Sequence, residues 1–149
     1  MKELEIPAFD GTVLVCDDNN MNLMLIGEHL KLVGLDVIVA LNGSEAVKKV
    51  QERAQSSTEK SNDIYNKDII EQFDLIFMDI HMPVMDGVEA AANIKKINSN
   101  IPIIAITTDK KFKEQNDFYQ SDFDDFLDKP FKMHELLDCL KKYLPPNTL

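Results

Sequence analysis

Phe73-Asp74-Leu75-Ile76-Phe77-Met78-Asp79-Ile80-His81-Met82-Pro83 decides how the rest of the chain reads. Its first half is an apolar run with β-branched and aromatic residues, the pattern of a strand buried on both faces of a parallel sheet. The run ends on a carboxylate, Asp79, and Pro83 follows four residues later. An acid at the C-terminal mouth of a central parallel strand stands where open α/β sheets carry their chemistry. Taken alone, such an acid is as well explained by a cap or a salt bridge.

The same alternation repeats on either side of this stretch. Thr12–Cys16 is a short apolar run that stops at two carboxylates, Asp17 and Asp18, followed by Asn19 and Asn20, either of which can cap a helix. That helix carries Leu23, Ile26, Leu30 and Val33 on one face, and Gly34 stops it. Leu35–Ala40 reads as a second strand. Asn42 and Glu45 have capping-box spacing ahead of a helix whose modest apolar face is Ala46, Val47 and Val50. From Gln51 to Gln72 periodicity dissolves, and residues 54–70 read as a polar insertion, with a mobile loop over Gln55–Asp63. Ile64, Tyr65, Ile69, Ile70 and Phe73 are expected to tether its far end.

Past the central strand, Asp86 and Glu89 again have capping-box spacing, ahead of a helix from Val88 to Ile97. Ile103–Thr107 is a fourth strand ending on a hydroxyl. Asp109–Tyr119 is charged and poorly periodic, a short or mobile helix. Asp125–Leu127 is a fifth strand, followed by Asp128-Lys129-Pro130-Phe131. A last helix carries Met133, Leu136, Leu137 and Leu140 and ends near Tyr143. Five strands alternating with helices make a doubly wound α/β domain: a parallel sheet with helices on both faces.

Composition bounds what this domain does. The 149 residues suit one domain with a full core. With 16 Lys plus Arg against 26 Asp plus Glu, the net charge is −10. Such a surface repels phosphate backbones and anionic lipid, so no nucleic acid and no membrane contact is expected of it. No apolar run approaches the roughly 20 residues that span a bilayer. The first residues lack a signal peptide's apolar core. Cys16 and Cys139 read as reduced thiols in a cytoplasmic protein, or a nuclear one in a eukaryotic cell.

In a parallel sheet the strand ends share one rim. Asp17, Asp18, Asp79, Thr107 and Lys129 therefore converge. Three carboxylates so close raise each other's pKa, and a hard divalent cation relieves the repulsion. Magnesium takes carboxylates, waters and a phosphate oxygen. With Asp79 as nucleophile, and metal, lysine and hydroxyl sharing the charge, the set suits phosphoryl transfer onto a carboxylate.

Four pieces carry a specific resemblance: Asp17-Asp18-Asn19, Phe77–Gly87, Ala105-Ile106-Thr107 and Asp124–Phe131. Residues 12–144 resemble the receiver domain of two-component response regulators, including those of hybrid histidine kinases. The resemblance implies the flavodoxin-like strand order 2-1-3-4-5 and a single receiver domain over residues 1–149. It implies that Asp79 is the phosphorylated residue, that Asp18 and Asp79 ligate Mg2+ directly, and that Asp17 does so through water. It gives the main-chain carbonyl of His81 to the metal, Thr107 and Phe126 to the switch, and Lys129 to the phosphate, with Lys129-Pro130 as a cis peptide. It implies a phosphorelay partner, either a histidine kinase or a histidine phosphotransfer protein, and a downstream effector or output domain. It also implies a signalling phosphoprotein and not an enzyme. Thr107 is preferred over Thr108 because it follows Ala105-Ile106. His81 and Asp109 are expected to flank the water that hydrolyses the acyl phosphate.

Three features depart from the family: the long polar insertion, Asp122 where glycine is usual, and the charge of residues 109–113. Two rivals stand beside this reading. One is a receiver-shaped interaction module that is never phosphorylated. The other is a haloacid-dehalogenase-type phosphohydrolase, which wants an acid where His81 stands.

Overall fold

The computed structural model describes residues 8–59, 71–108, 111 and 121–145. Its elements are β1 (Thr12–Cys16), α1 (Asn20–Leu32), β2 (Asp36–Ala40), α2 (Gly43–Glu59), β3 (Leu75–Asp79), α3 (Gly87–Ile97), β4 (Ile103–Thr107), β5 (Asp125–Asp128) and α4 (Met133–Tyr143). The five strands form one sheet in the order β2-β1-β3-β4-β5, every pair parallel.

Alternation along each strand sorts the core into two layers. Val13, Val15, Leu75, Phe77, Ile104 and Ile106 point to one face, against Leu23, Ile26 and Leu30 of α1 and Leu136 and Leu140 of α4. Leu14, Cys16, Ile76, Met78, Ile103 and Ala105 point to the other, against Ala46 and Val50 of α2 and Ala90, Ala91 and Ile94 of α3. β3 and β4 are buried at every residue, which is why they read as unbroken apolar runs. β2 lies at the sheet edge and is partly exposed.

Polar residues start the helices. Asn19, not Asn20, caps α1, its side chain accepting from Met21 N and Asn22 N. Asn42 Oδ1 accepts from Glu45 N at 2.9 Å, and Asp86 Oδ1 from Glu89 N at 2.9 Å. At the end of α1, Gly34 takes φ +97, where a Cβ would meet the Phe9 carbonyl at 2.8 Å.

The structure differs from the sequence reading in two places. α2 does not give out near Gln51; it continues through Glu59. Gln51-Glu52-Arg53-Ala54-Gln55 are good helix formers, with no Gly or Pro among them. Arg53 also ties the helix down, donating to the Glu71 carbonyl at 2.7 Å and lying 4.2 Å over the Phe73 ring. The second difference lies before β1: Phe9, which belongs to none of the strands or helices read from the sequence, is buried, and its N–H donates to the Val33 carbonyl at 2.8 Å. Ile64, Tyr65, Ile69, Ile70 and most of 109–119, including Asp109, lie outside the described residues. Among the described residues no helix is long and apolar enough to cross a membrane.

Gly87 seats α3 against the end of β3. Its N–H donates to the Ile80 carbonyl at 2.8 Å, and a Cβ there would fall 2.2 Å from the Asp79 carbonyl oxygen and 2.9 Å from Ile80 Cα. Backbone cannot yield as a flexible side chain does. Gly87→Ala should therefore destabilise the domain by about 2 kcal/mol, read as a lower urea midpoint with an unchanged m-value.

Candidate functional site

Register brings the acids together. Cys16 lies beside Met78, so the next residues, Asp17 and Asp79, leave adjacent strands side by side. On the other flank Asp79 pairs with Ile106, and Thr107 with Asp128. The chain then continues Lys129 N to the Thr107 carbonyl at 2.9 Å, and the Lys129-Pro130 peptide is cis.

Lys129 reaches back across this rim. Its Nζ donates to Asp17 Oδ2 at 2.7 Å and lies 3.4 Å from Asp79 Oδ2. Asp17 is wholly buried, so the ammonium compensates a charge that water cannot reach. Among the described residues, the other contacts of the Asp17 carboxylate come from its own helix start. Its Oδ1 accepts from Asn19 N at 2.9 Å, and Oδ2 accepts from Asn22 Nδ2 at 3.3 Å.

Asp18 is exposed. Asp17, Asp18 and Asp79 each offer an oxygen within 4.8 Å of the others. Burial pushes the Asp79 carboxyl above the usual carboxylate range, and Asp17 adds to the shift. Lys129 and the His81 N–H oppose it. Three carboxylates facing one ammonium leave an excess of negative charge on hard oxygen donors. That donor set fits a small divalent cation such as Mg2+.

Thr107 is buried at the end of β4, while Thr108 is exposed beside a groove of about 300 Å³ that Lys129 also lines. The His81 side chain is exposed. Phe126 is half-buried and packs on the layer that α2 and α3 cover. The Cys16 thiol donates to the Asn42 carbonyl at 3.2 Å; burial, and then Asp17 and Asp79, push its pKa far above the thiol range, so it is no nucleophile. Asn22 escaped the strand-end pattern because it sits on a helix. Its only signal was its place three residues after the cap Asn19.

Beyond Asp79 the chain turns sharply. Met85 N donates to the Pro83 carbonyl at 2.8 Å around Val84, whose φ is +69. A β-branched residue in that region is strained, and Val84 is 83% exposed, so no packing of its own side chain offsets the cost. Neighbouring bonds hold the turn: Gly43 N donates to the Met85 carbonyl at 3.1 Å, and Gly87 N to that of Ile80.

Known proteins resemble this chain in sequence and fold. The family model for the response regulator receiver domain matches residues 13–141. The chain is 34% identical over 138 residues to hybrid signal transduction histidine kinase L of Dictyostelium discoideum, covering 89% of this chain and 7% of that protein. It is 32% identical over 136 residues to sensor protein GacS of Pseudomonas syringae pv. syringae, covering 88% of this chain and 13% of that protein. The chain thus spans a small part of these relatives' length. Response regulator TrrA of Thermotoga maritima, solved in complex with Mg2+-BeF, superposes with a TM-score of 0.72 at 28% identity, covering 90% of this chain and 99% of that one. The receiver domain of a sensor histidine kinase from Pseudomonas aeruginosa PAO1 superposes with a TM-score of 0.69 at 27% identity, covering 90% and 97%. That structure holds a magnesium ion coordinated in its active site cleft.

The raised Asp79 pKa has a stability consequence. Folding favours the protonated carboxyl, so the stability it contributes is full below the unfolded-state pKa and is lost as pH rises through the folded one. Asp79→Asn mimics the protonated form. Without metal, the variant should melt above wild type at neutral pH, and the gap should close as pH falls below the ordinary carboxylate range. Thermal unfolding of both proteins across pH measures this.

Proposed function

Because the chain belongs to the response regulator receiver domain family, we propose that Asp79 accepts a phosphoryl group from a phosphohistidine and that the acyl phosphate switches an output surface. The observation that carries this reading is the rim itself: a buried carboxylate beside two further acids, with the Lys129 ammonium between Asp17 and Asp79. Asp79 attacks phosphorus, the P–N bond breaks, and the imidazole nitrogen leaves with the electron pair. Lys129 holds the incoming oxygens, and Thr107 offers its hydroxyl to the product. Asp17, Asp18, Asp79 and the His81 carbonyl are the groups that would hold Mg2+, which when bound supplies a hard positive centre beside the phosphoryl oxygens. Phe126, half-buried at the next strand, would turn inward as Thr107 moves toward the acyl phosphate. To the exposed His81 side chain we assign a part in tuning hydrolysis.

The domain signals; we propose that its catalysis stops at its own phosphorylation and dephosphorylation. The phosphohydrolase rival lacks its second acid, since His81 holds that place. An unphosphorylated module has no need of a buried acid pair held by an ammonium.

The donor is a histidine kinase or a histidine phosphotransfer protein. Its docking over the rim is supported by the face of α1 next to the site: Met21, Met24 and Leu25 are exposed at helical spacing. A downstream effector or output domain would read the switched surface.

Two experiments test the reading. Acetyl phosphate with Mg2+ should add one phosphoryl group to wild type by mass spectrometry; Asp79→Asn should stay unmodified, and chelating the metal should abolish the product. An unlabelled wild-type chain would overturn the assignment. In the second, Met24→Glu should slow transfer from a protein donor by about tenfold or more while labelling by acetyl phosphate keeps its rate, because the small donor needs no docking face.

A further inference from the structure

Asp17 has more partners than a strand-end acid needs. A carboxylate presents about four lone-pair sites. Here Oδ2 takes Lys129 Nζ at 2.7 Å and Asn22 Nδ2 at 3.3 Å, and Oδ1 takes Asn19 N–H at 2.9 Å. One site remains, on Oδ1. Asn22 is itself held, since its backbone N–H donates to Asn19 Oδ1 at 3.1 Å. Asp17, Asn19 and Asn22 thus close a ring at the start of α1.

The ammonium is not free to stay. Lys129 is shared between Asp17 and Asp79, and the closer bond is to Asp17. A phosphoryl group on Asp79 would bring further anionic oxygens into competition for the same three protons. Each step of Lys129 toward them withdraws it from a carboxylate that water does not reach, and an uncompensated buried charge is strongly disfavoured. Of the donors to Asp17 Oδ2 among the described residues, the Asn22 amide is the one that does not depend on Lys129.

We propose that Asn22 is a positioning residue for phosphoryl transfer: its amide holds Asp17 Oδ2 as Lys129 passes from Asp17 to the group on Asp79, keeping the Asp17 carboxylate in its place on the rim. This rests on the acceptor reading and extends it to a helix residue outside the strand ends. The capping role of Asn22 uses only its backbone N–H, so the side chain can be tested apart from the helix.

The test compares two titrations by calorimetry, Mg2+ alone and beryllofluoride in saturating Mg2+, the phosphoryl mimic bound to the Thermotoga relative. For Asn22→Leu, Mg2+ affinity should stay within about threefold of wild type, because Lys129 still serves Asp17. Beryllofluoride affinity should fall by about tenfold, because the mimic draws Lys129 away. Asn22→Gln, which keeps an amide, should recover most of the loss. Asn22→Ser, too short to reach Asp17, should repeat the split if leucine disturbs packing. Equal losses in both titrations would mean a general structural role and overturn the proposal, as would unchanged beryllofluoride affinity in both truncations. A wild-type chain that binds Mg2+ but not beryllofluoride would sink the acceptor reading itself, and this inference with it.

Discussion

The Lys129 ammonium between Asp17 and Asp79 is the constraint on which the site depends. Adjacent parallel strands lie only about 4.8 Å apart, so side chains leaving β1 and β3 at the same level cannot avoid each other. Two buried carboxylates in that position would repel. Each would be driven toward its neutral form, which neither ligates a hard cation nor attacks phosphorus. Lys129, 2.7 Å from one and 3.4 Å from the other, offsets that repulsion without removing it. Burial first, and Asp17 after it, still push Asp79 upward, poised toward any further positive charge.

The rest of the fold holds this rim still. β1, β3 and β4 are covered on both faces, so the residues at their ends inherit a rigid backbone. The loops beyond them are fastened to one another. Gly43 bonds the Met85 carbonyl, Gly87 bonds that of Ile80, and the strained Val84 turn is trapped between these anchors. Glycine is required at 43 and 87 because each leaves no room for a Cβ against backbone. Packing therefore sets where Asp79 points, while Asp18, His81 and the apolar face of α1 lie exposed around it.

Legibility followed burial. The strand runs and the helix faces were readable because an element covered on both sides must be apolar throughout, and one covered on one side must repeat with its period. The caps at Asn42 and Asp86 were readable from local spacing. The second half of α2 was not. Its side chains are polar, so no apolar stripe marks it, and the tie that holds it runs from Arg53 to Glu71 and Phe73 across the intervening segment. Phe9 was missed for the opposite reason: one aromatic in a short stretch broken by Pro7 and Gly11 carries no periodicity, and only the core beside Val33 gives it a place.

By itself the sequence determined the kind of fold and the residue types on its functional edge, since alternation of apolar runs with helical faces admits few topologies and the acids stand at strand ends. Tertiary structure alone decided which atoms meet. That Lys129 favours Asp17 over Asp79, and that Asn22 shares the same oxygen, are facts of register and helix placement across contacts 112 and five residues apart. No local pattern encodes those distances, because they arise only when separate strands and a helix are packed against one core.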